Sequence, residues 1–240
     1  MRFKEFIDID SLRHAKIDEK PVKNYKGDYK NLDIAKPSSN GSDKTYQELN
    51  DMQDMFKDRN EVIEKSVKDH DDQVGYAVKK YLDDNNLEYK ESDIDKIAEI
   101  GSGIVRYYKN KFERIRPYHL ADAMNMKFNN MPLESDSMKS PAYPSGHSLQ
   151  SRLIAEYYAE KYPDHKENLI NAADECGMGR VYAGYHYPSD HEASKKLAKE
   201  IYPNLNLRKT FKESIIDIPR RTYARPVFDG ADTTNPKLKE

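Results

Sequence analysis

The apolar residues of this chain recur three and four positions apart, in blocks closed by proline, glycine or asparagine, and nowhere alternate over a useful length. That spacing puts them on one face of an α-helix and gives a pleated strand nothing to bury. Tyr46, Leu49, Met52, Met55 and Phe56 form a first stripe, continued over 62–67 and 74–82 until Asp83-Asp84-Asn85-Asn86 breaks it. Ile94, Ile97, Gly101, Ile104 and Tyr108 form a longer one. Ser92 with Asp95 opens it as a capping box, and it can run to Pro117. Leu149, Leu153, Ile154 and Tyr157 lie on a helix from about His147 to Tyr162, closed by Pro163. Asp164 with Glu167 caps the next, where Ala172, Ala173, Gly177 and Gly179 are small enough to admit a close neighbour. Ser189 with Glu192 starts a helix over 190–201. The expected fold class is all-α, a helical bundle.

The two ends read differently. Residues 1–42 lack sustained periodicity and finish in Lys36-Pro37-Ser38-Ser39-Asn40-Gly41-Ser42, a loop signal. The expected organisation is an extended arm over 1–42, a helical domain over 43–215 and a tail over 216–240. Within the domain, 118–143 is a long connection of the kind that usually carries function. Composition narrows the class further. With 37% of its 240 residues apolar, the chain can bury one substantial core. A net charge of −2 exerts no general pull on nucleic acid or an anionic membrane. The longest apolar runs, such as Leu153-Ile154-Ala155, fall far short of the roughly 20 residues a membrane span requires. The N-terminal segment MRFKEFIDIDSLRHAK has no apolar signal core, so a cytoplasmic location is expected. The single cysteine, Cys176, excludes an intrachain disulfide and a cysteine-based zinc site. Arms at both ends suit a homodimer.

Three clusters could carry chemistry. In Lys109-x6-Arg116-Pro117, seven helical steps of about 100° bring both cations to within about 20° of one direction, able to grip a dianion. Against this, neighbouring Lys111 and Arg114 make a solvated charged face an equally simple reading. Pro144-Ser145-Gly146-His147 stands directly before a helix, whose unpaired N–H groups and positive dipole end suit an anion. Gly146 lets the backbone approach, Ser145 offers a hydroxyl and His147 can donate a proton. In Gly179-Arg180-x5-His186-x3-Asp190, Arg180 supplies a planar fork for phosphate oxygens, and a carboxylate four residues after a histidine can hold one tautomer. Taken singly, His186 is more simply a buried, satisfied histidine and Asp190 a first-turn helix charge.

Together, and in this order, the clusters resemble the signature of the type 2 phosphatidic acid phosphatase (PAP2) superfamily, which also contains the vanadium haloperoxidases. That signature is Lys-x6-Arg-Pro, then Pro-Ser-Gly-His, then Ser-Arg-x5-His-x3-Asp. One position departs: Gly179 stands where the family usually has serine. Arg114-Ile115-Arg116-Pro117, Tyr143-Pro144-Ser145-Gly146-His147 and Gly184-Tyr185-His186 look most like the soluble bacterial class A acid phosphatases. The resemblance spans roughly 43–215.

It implies a PAP2-type helical fold and a metal-independent phosphomonoesterase with a phosphohistidine intermediate. His186 would be the nucleophile, Asp190 its orienting partner, and His147 the acid for the leaving oxygen and then the base for water. Lys109, Arg116, Ser145, Gly146 and Arg180 would bind the phosphoryl oxygens. No cofactor is implied, vanadate would inhibit, and substrates would be small soluble phosphate esters, with phosphotransfer to alcohols possible in the same site. Three other readings stand beside this one. They are a vanadium-dependent haloperoxidase on the same anion site, a non-catalytic module that binds a phosphorylated ligand, and an HD-type metal hydrolase built on His70-Asp71 with His186, Asp190, His191 and Glu192. The last is weakened because His70-Asp71-Asp72 reads as a solvated connector.

Overall fold

The computed structural model describes residues 9–126, 128 and 135–206. Eight α-helices form the body: α1 Asp43–Met55, α2 Glu61–Asp72, α3 Tyr76–Asp84, α4 Glu91–Phe112, α5 Pro117–Ala123, α6 Gly146–Lys161, α7 Lys166–Tyr182 and α8 Pro188–Ile201. Among the described residues there is no strand, only a single antiparallel bridge between Tyr25 and Leu205. The all-α expectation holds. The tail over 216–240 lies outside the described residues.

Helix α6 is the axis of the body and packs against α7, α4 and α8. Its buried residues, Ser148, Leu149, Ser151, Arg152, Leu153, Ile154, Ala155, Tyr157, Tyr158 and Ala159, face every direction. A helix enclosed on all sides has no polar face to show, so its sequence carries no single clean stripe. Gly177 on α7 explains how tightly the neighbours close. A Cβ there would fall 2.1 Å from His191 Nδ1 and 2.8 Å from Ser148 Oγ, a collision with both α8 and α6. Cys176 beside it is a fully buried free thiol, a core filler as its small neighbours suggest.

Several helix ends differ from expectation. Helix α4 begins at Glu91 with no side-chain cap, so Ser92 and Asp95 lie inside its first turns rather than forming a box. It ends at Phe112, where Glu113 adopts a left-handed conformation, well before Pro117. Pro117 does not close a helix but opens α5 as its first residue, where its missing N–H costs nothing. Asp164 and Glu167 form no capping box, because a short 3-10 turn over Pro163–His165 precedes α7. Helix α8 starts at Pro188, and the carboxylate that caps its first turn is Asp190, not Glu192. Of the first stripe, Leu49, Met52 and Phe56 are buried, but Tyr46 is exposed.

From residue 9 the N-terminal segment, with short 3-10 turns at Ile9–Leu12 and Tyr29–Asn31, lies along α4. The Asn110 side chain pairs with Ile17 like a strand neighbour, accepting from its N–H at 2.9 Å and donating to its carbonyl at 2.8 Å. Tyr108 Oη accepts from Leu32 N–H at 3.0 Å and donates to the Tyr29 carbonyl at 2.9 Å. Arg13 reaches Glu113 at 2.8 Å, and Tyr143 Oη donates to the Ala35 carbonyl. These bonds satisfy arm backbone groups that water would otherwise serve.

Candidate active site

Two helix N-termini meet at the site. Ser145 is the N-cap of α6, its Oγ accepting from Ser148 N–H at 3.4 Å and from Ser148 Oγ at 2.8 Å. Asp190 occupies the first turn of α8, where Oδ2 accepts the Tyr187 N–H at 3.0 Å. Ser194 Oγ ties the two ends together through the Ser145 carbonyl at 2.9 Å and the Asp190 carbonyl at 2.8 Å. The same carboxylate caps a helix and receives His186 Nδ1 at 3.3 Å.

Between α4 and α5, Arg114, Ile115 and Arg116 are all buried, and the two arginines take different partners. Arg116 enters the pocket: Nη1 donates to His186 Nε2 at 2.9 Å and to the Tyr185 carbonyl at 2.8 Å. Its Nε donates to the Ser140 carbonyl at 2.7 Å, and its Nη2 to Ser140 Oγ at 3.1 Å. Arg114 turns behind Asp190: Nη1 donates to Asp190 Oδ1 at 2.5 Å and to Ser189 Oγ at 2.7 Å, while Nη2 meets Glu48 Oε2 at 2.7 Å. Its guanidinium stacks 3.8 Å from the Tyr187 ring centroid. Glu48 Oε1 accepts the Ser189 N–H at 3.1 Å and closes the array. A line of charge thus runs Glu48, Arg114, Asp190, His186, all buried or nearly so.

A cavity of about 270 Å³ opens beside these groups, lined in part by Lys109, Arg116, Gly146, His147 and His186. Lys109 Nζ donates to Ser140 Oγ at 3.3 Å and to the Pro141 carbonyl. His147 faces His186 from the N-terminus of α6. It bonds to the Asp71 backbone, and its buried Nε2 has no partner. A Cβ at residue 146 would meet only Gln150 and Val105, at 3.6 and 3.7 Å, so what glycine keeps open there is the cavity it lines. Arg180 and Ser145 are fully buried beside the cavity rather than lining it. Arg180 Nη2 pairs with Asp71 Oδ1 at 2.7 Å and stacks over Tyr185, while its Nε and Nη1 have no partner. Tyr118, His119 and Tyr143 are not among the lining residues.

Electrostatics follow from burial beside cations. His186 lies well below the ordinary histidine value, first through desolvation and then through Arg116, Lys109 and Arg180. His147 is depressed likewise, by burial and then Arg180. Both shifts favour the neutral imidazole. Burial also pushes Lys109 well down, with Arg116 adding to it, and brings Arg116 to about 9, still charged at neutral pH. Desolvation raises Asp190, and the Arg114 guanidinium opposes it.

Sequence reasoning missed four participants. Arg114 reads in sequence as one of several solvated charges, and its burial rests on Asp190 and Glu48, 76 and 66 residues away in the chain. Glu48 lies on a distant helix and carried no signal. Ser140, which receives both Lys109 and Arg116, sits in a connection without periodicity. The His70-Asp71 reading is corrected outright: it is not a solvated connector. His70 is buried on α2 with Nδ1 on the Ser66 carbonyl at 2.5 Å, and Asp71 holds both Arg180 and Ser135. Among the described residues no group of three or more His, Cys, Asp or Glu is placed to hold a metal ion.

Both motif histidines therefore share one cavity with Lys109 and Arg116, and the sequence around them has relatives. Residues 97–196 match the family model of the PAP2 superfamily. All the motif residues fall within that PAP2 region, while Glu48 and Asp71 lie outside it. The chain is similar to a non-specific acid phosphatase of Providencia stuartii, with 27% identity over 119 residues, covering 50% of this chain and 47% of that one. It is also similar to the non-specific acid phosphatase of Salmonella typhimurium, with 26% identity over 110 residues, covering 46% of this chain and 43% of that one. The chain thus spans less than half the length of these relatives. A solved transmembrane PAP2-type phosphatidylglycerolphosphate phosphatase from Bacillus subtilis aligns with 18% identity and a TM-score of 0.36, over 74% of this chain and 81% of that one. In this chain, no described helix is long and apolar enough to cross a membrane.

Proposed function

We propose that this chain hydrolyses small phosphomonoesters through a phosphohistidine intermediate on His186. The observation that carries this reading is the opposed pair of histidines. The Nδ1 of one is spent on a carboxylate, and the Nε2 of the other is left free across a cation-lined cavity. With Nδ1–H on Asp190, the lone pair of neutral His186 is on Nε2, where Arg116 now donates to it. A phosphoryl group would draw that guanidinium onto its own oxygens and leave Nε2 facing phosphorus. Lys109, Arg116, Arg180 and the N–H groups opening α6 would neutralise the equatorial oxygens, which is most of what phosphoryl transfer needs.

In the first step the Nε2–P bond forms and the bond from phosphorus to the leaving oxygen breaks. The leaving oxygen takes its proton from His147 Nε2. In the second, water attacks phosphorus, gives a proton back to His147, and the N–P bond breaks. An alcohol in place of water would give phosphotransfer. Because burial and Arg180 hold His147 well below the ordinary histidine value, its proton would arrive with a singly protonated substrate or be drawn in by the bound dianion. The phosphate ester's second pKa lies near about 6, so turnover is highest on the acid side of neutrality. Vanadate, which adopts the five-coordinate shape of the transferring phosphoryl group, would bind tightly and inhibit.

The test is hydrolysis of para-nitrophenyl phosphate across pH, with EDTA present, by the wild type and by His186→Ala. Activity that withstands EDTA and vanishes in the variant supports the proposal. Activity that EDTA removes, or that persists in His186→Ala, contradicts it.

A further inference from the structure

The cavity holds more positive charge than one phosphoryl group needs. One turn before Lys109 on α4, Arg106 lines the same cavity. Its partners are neutral: Nε donates to Ser102 Oγ at 3.4 Å, and Nη1 to the Asp18 carbonyl of the arm at 3.3 Å. Among the described residues it makes no ion pair, in contrast to Arg114 and Arg180, whose charges are matched by Glu48, Asp190 and Asp71. Among the described residues no carboxylate lines the cavity, and Lys139 adds a further cation to the lining. An arginine aimed by neutral acceptors keeps its full charge and its planar fork for a visitor. Three residues apart on α4, Arg106 and Lys109 line the cavity from neighbouring turns of one helix face.

We infer that the leaving-group side of this cavity is a second anion subsite centred on Arg106, and that preferred substrates are compact phosphate esters carrying another phosphoryl or carboxylate group. At about 270 Å³ the cavity suits a sugar bisphosphate or a phosphorylated hydroxy acid better than an extended ligand. The inference rests on the phosphatase reading above. It adds a substrate preference that the phosphoryl-binding residues do not provide.

Matched substrate pairs test it. Glycerol 3-phosphate and 3-phosphoglycerate differ by a carboxylate; fructose 6-phosphate and fructose 1,6-bisphosphate differ by a phosphoryl group. For each pair, the ratio of kcat/KM for the doubly anionic member to that for the singly anionic one is measured in wild type, Arg106→Gln and Arg106→Lys. The ratio cancels any loss of folded enzyme. The wild-type ratio is expected to exceed one for at least one pair, to fall about tenfold in Arg106→Gln, and to recover in part in Arg106→Lys. The pair that responds identifies the second group. Turnover of both members with a ratio of one or below, or a ratio unchanged in Arg106→Gln, overturns the subsite and leaves the phosphatase reading intact. If wild type hydrolyses para-nitrophenyl phosphate but none of the four, the subsite alone is overturned; if it hydrolyses none of the five, both are.

Discussion

The two histidines of the site are held in opposite ways. His186 is fixed at both nitrogens, by Asp190 on one side and Arg116 on the other, and behind Asp190 stand Arg114 and Glu48. His147 has one backbone bond and a free Nε2. A nucleophile must present one lone pair in one direction, and a charged array that locks ring and tautomer does this. A group that gives and retakes a proton must face a changing partner, and one backbone bond leaves it that freedom.

Breaking the locked side should cost most. His186→Ala should lower kcat by at least about three orders of magnitude, measured with para-nitrophenyl phosphate, because in the proposed mechanism its Nε2 carries the phosphoryl group. Next is His147→Asn, which should lose about a hundredfold on alkyl phosphates and much less on aryl phosphates, whose leaving oxygens need less protonation. Equal losses on both classes would remove His147 from the acid role. Behind the nucleophile, Arg114→Met leaves two carboxylates buried without their cation and should destabilise the fold by roughly 3–5 kcal/mol, seen in denaturant melts. Glu48→Gln keeps the hydrogen bonds and removes one charge, so it should lower kcat only a few-fold while KM stays close to wild type. A larger change in KM than in kcat would make Glu48 a mere packing residue. The smallest effect belongs to Gly179→Ser. A Cβ there would meet only Val67 Cγ2 at 3.8 Å, so the serine the PAP2 signature carries should be tolerated within about 0.5 kcal/mol.

Acid should also act on the two histidines together. Both fold with pKa values below the unfolded value of 6.5. Above 6.5 they are neutral in either state and contribute nothing to pH dependence. As pH falls below 6.5, the unfolded chain binds protons that the folded chain resists, so stability falls toward the depressed folded values. Thermal melts from pH 7 to 5 should therefore show a declining Tm. Inorganic phosphate should restore more of it at pH 5 than at pH 7, since a bound anion favours the protonated histidines.

How much of this was legible beforehand follows from which forces act locally. The all-α class and the cores of α1, α4 and α6 to α8 are written in apolar spacing, a local property. The histidines, Asp190 and the cavity cations were legible because helix starts and short spacings bring them to the site. What escaped was set by distant chain. Arg114 is held inside by Asp190 and Glu48, and Glu48 and Asp71 reach the site only through the packing of α1 and α2. Helix starts were misjudged where Pro117 and Pro188 open helices without the expected caps.

The central claim is the covalent bond to His186, and the most direct measurement is to trap it. Rapid quenching of enzyme with phosphorus-labelled substrate, followed by peptide mapping, should recover an acid-labile, base-stable phosphoryl group on the peptide containing His186. The label should be absent from His186→Ala and should accumulate when His147→Asn slows attack by water. Turnover with no label on any residue, or a label that survives in His186→Ala, would contradict the account.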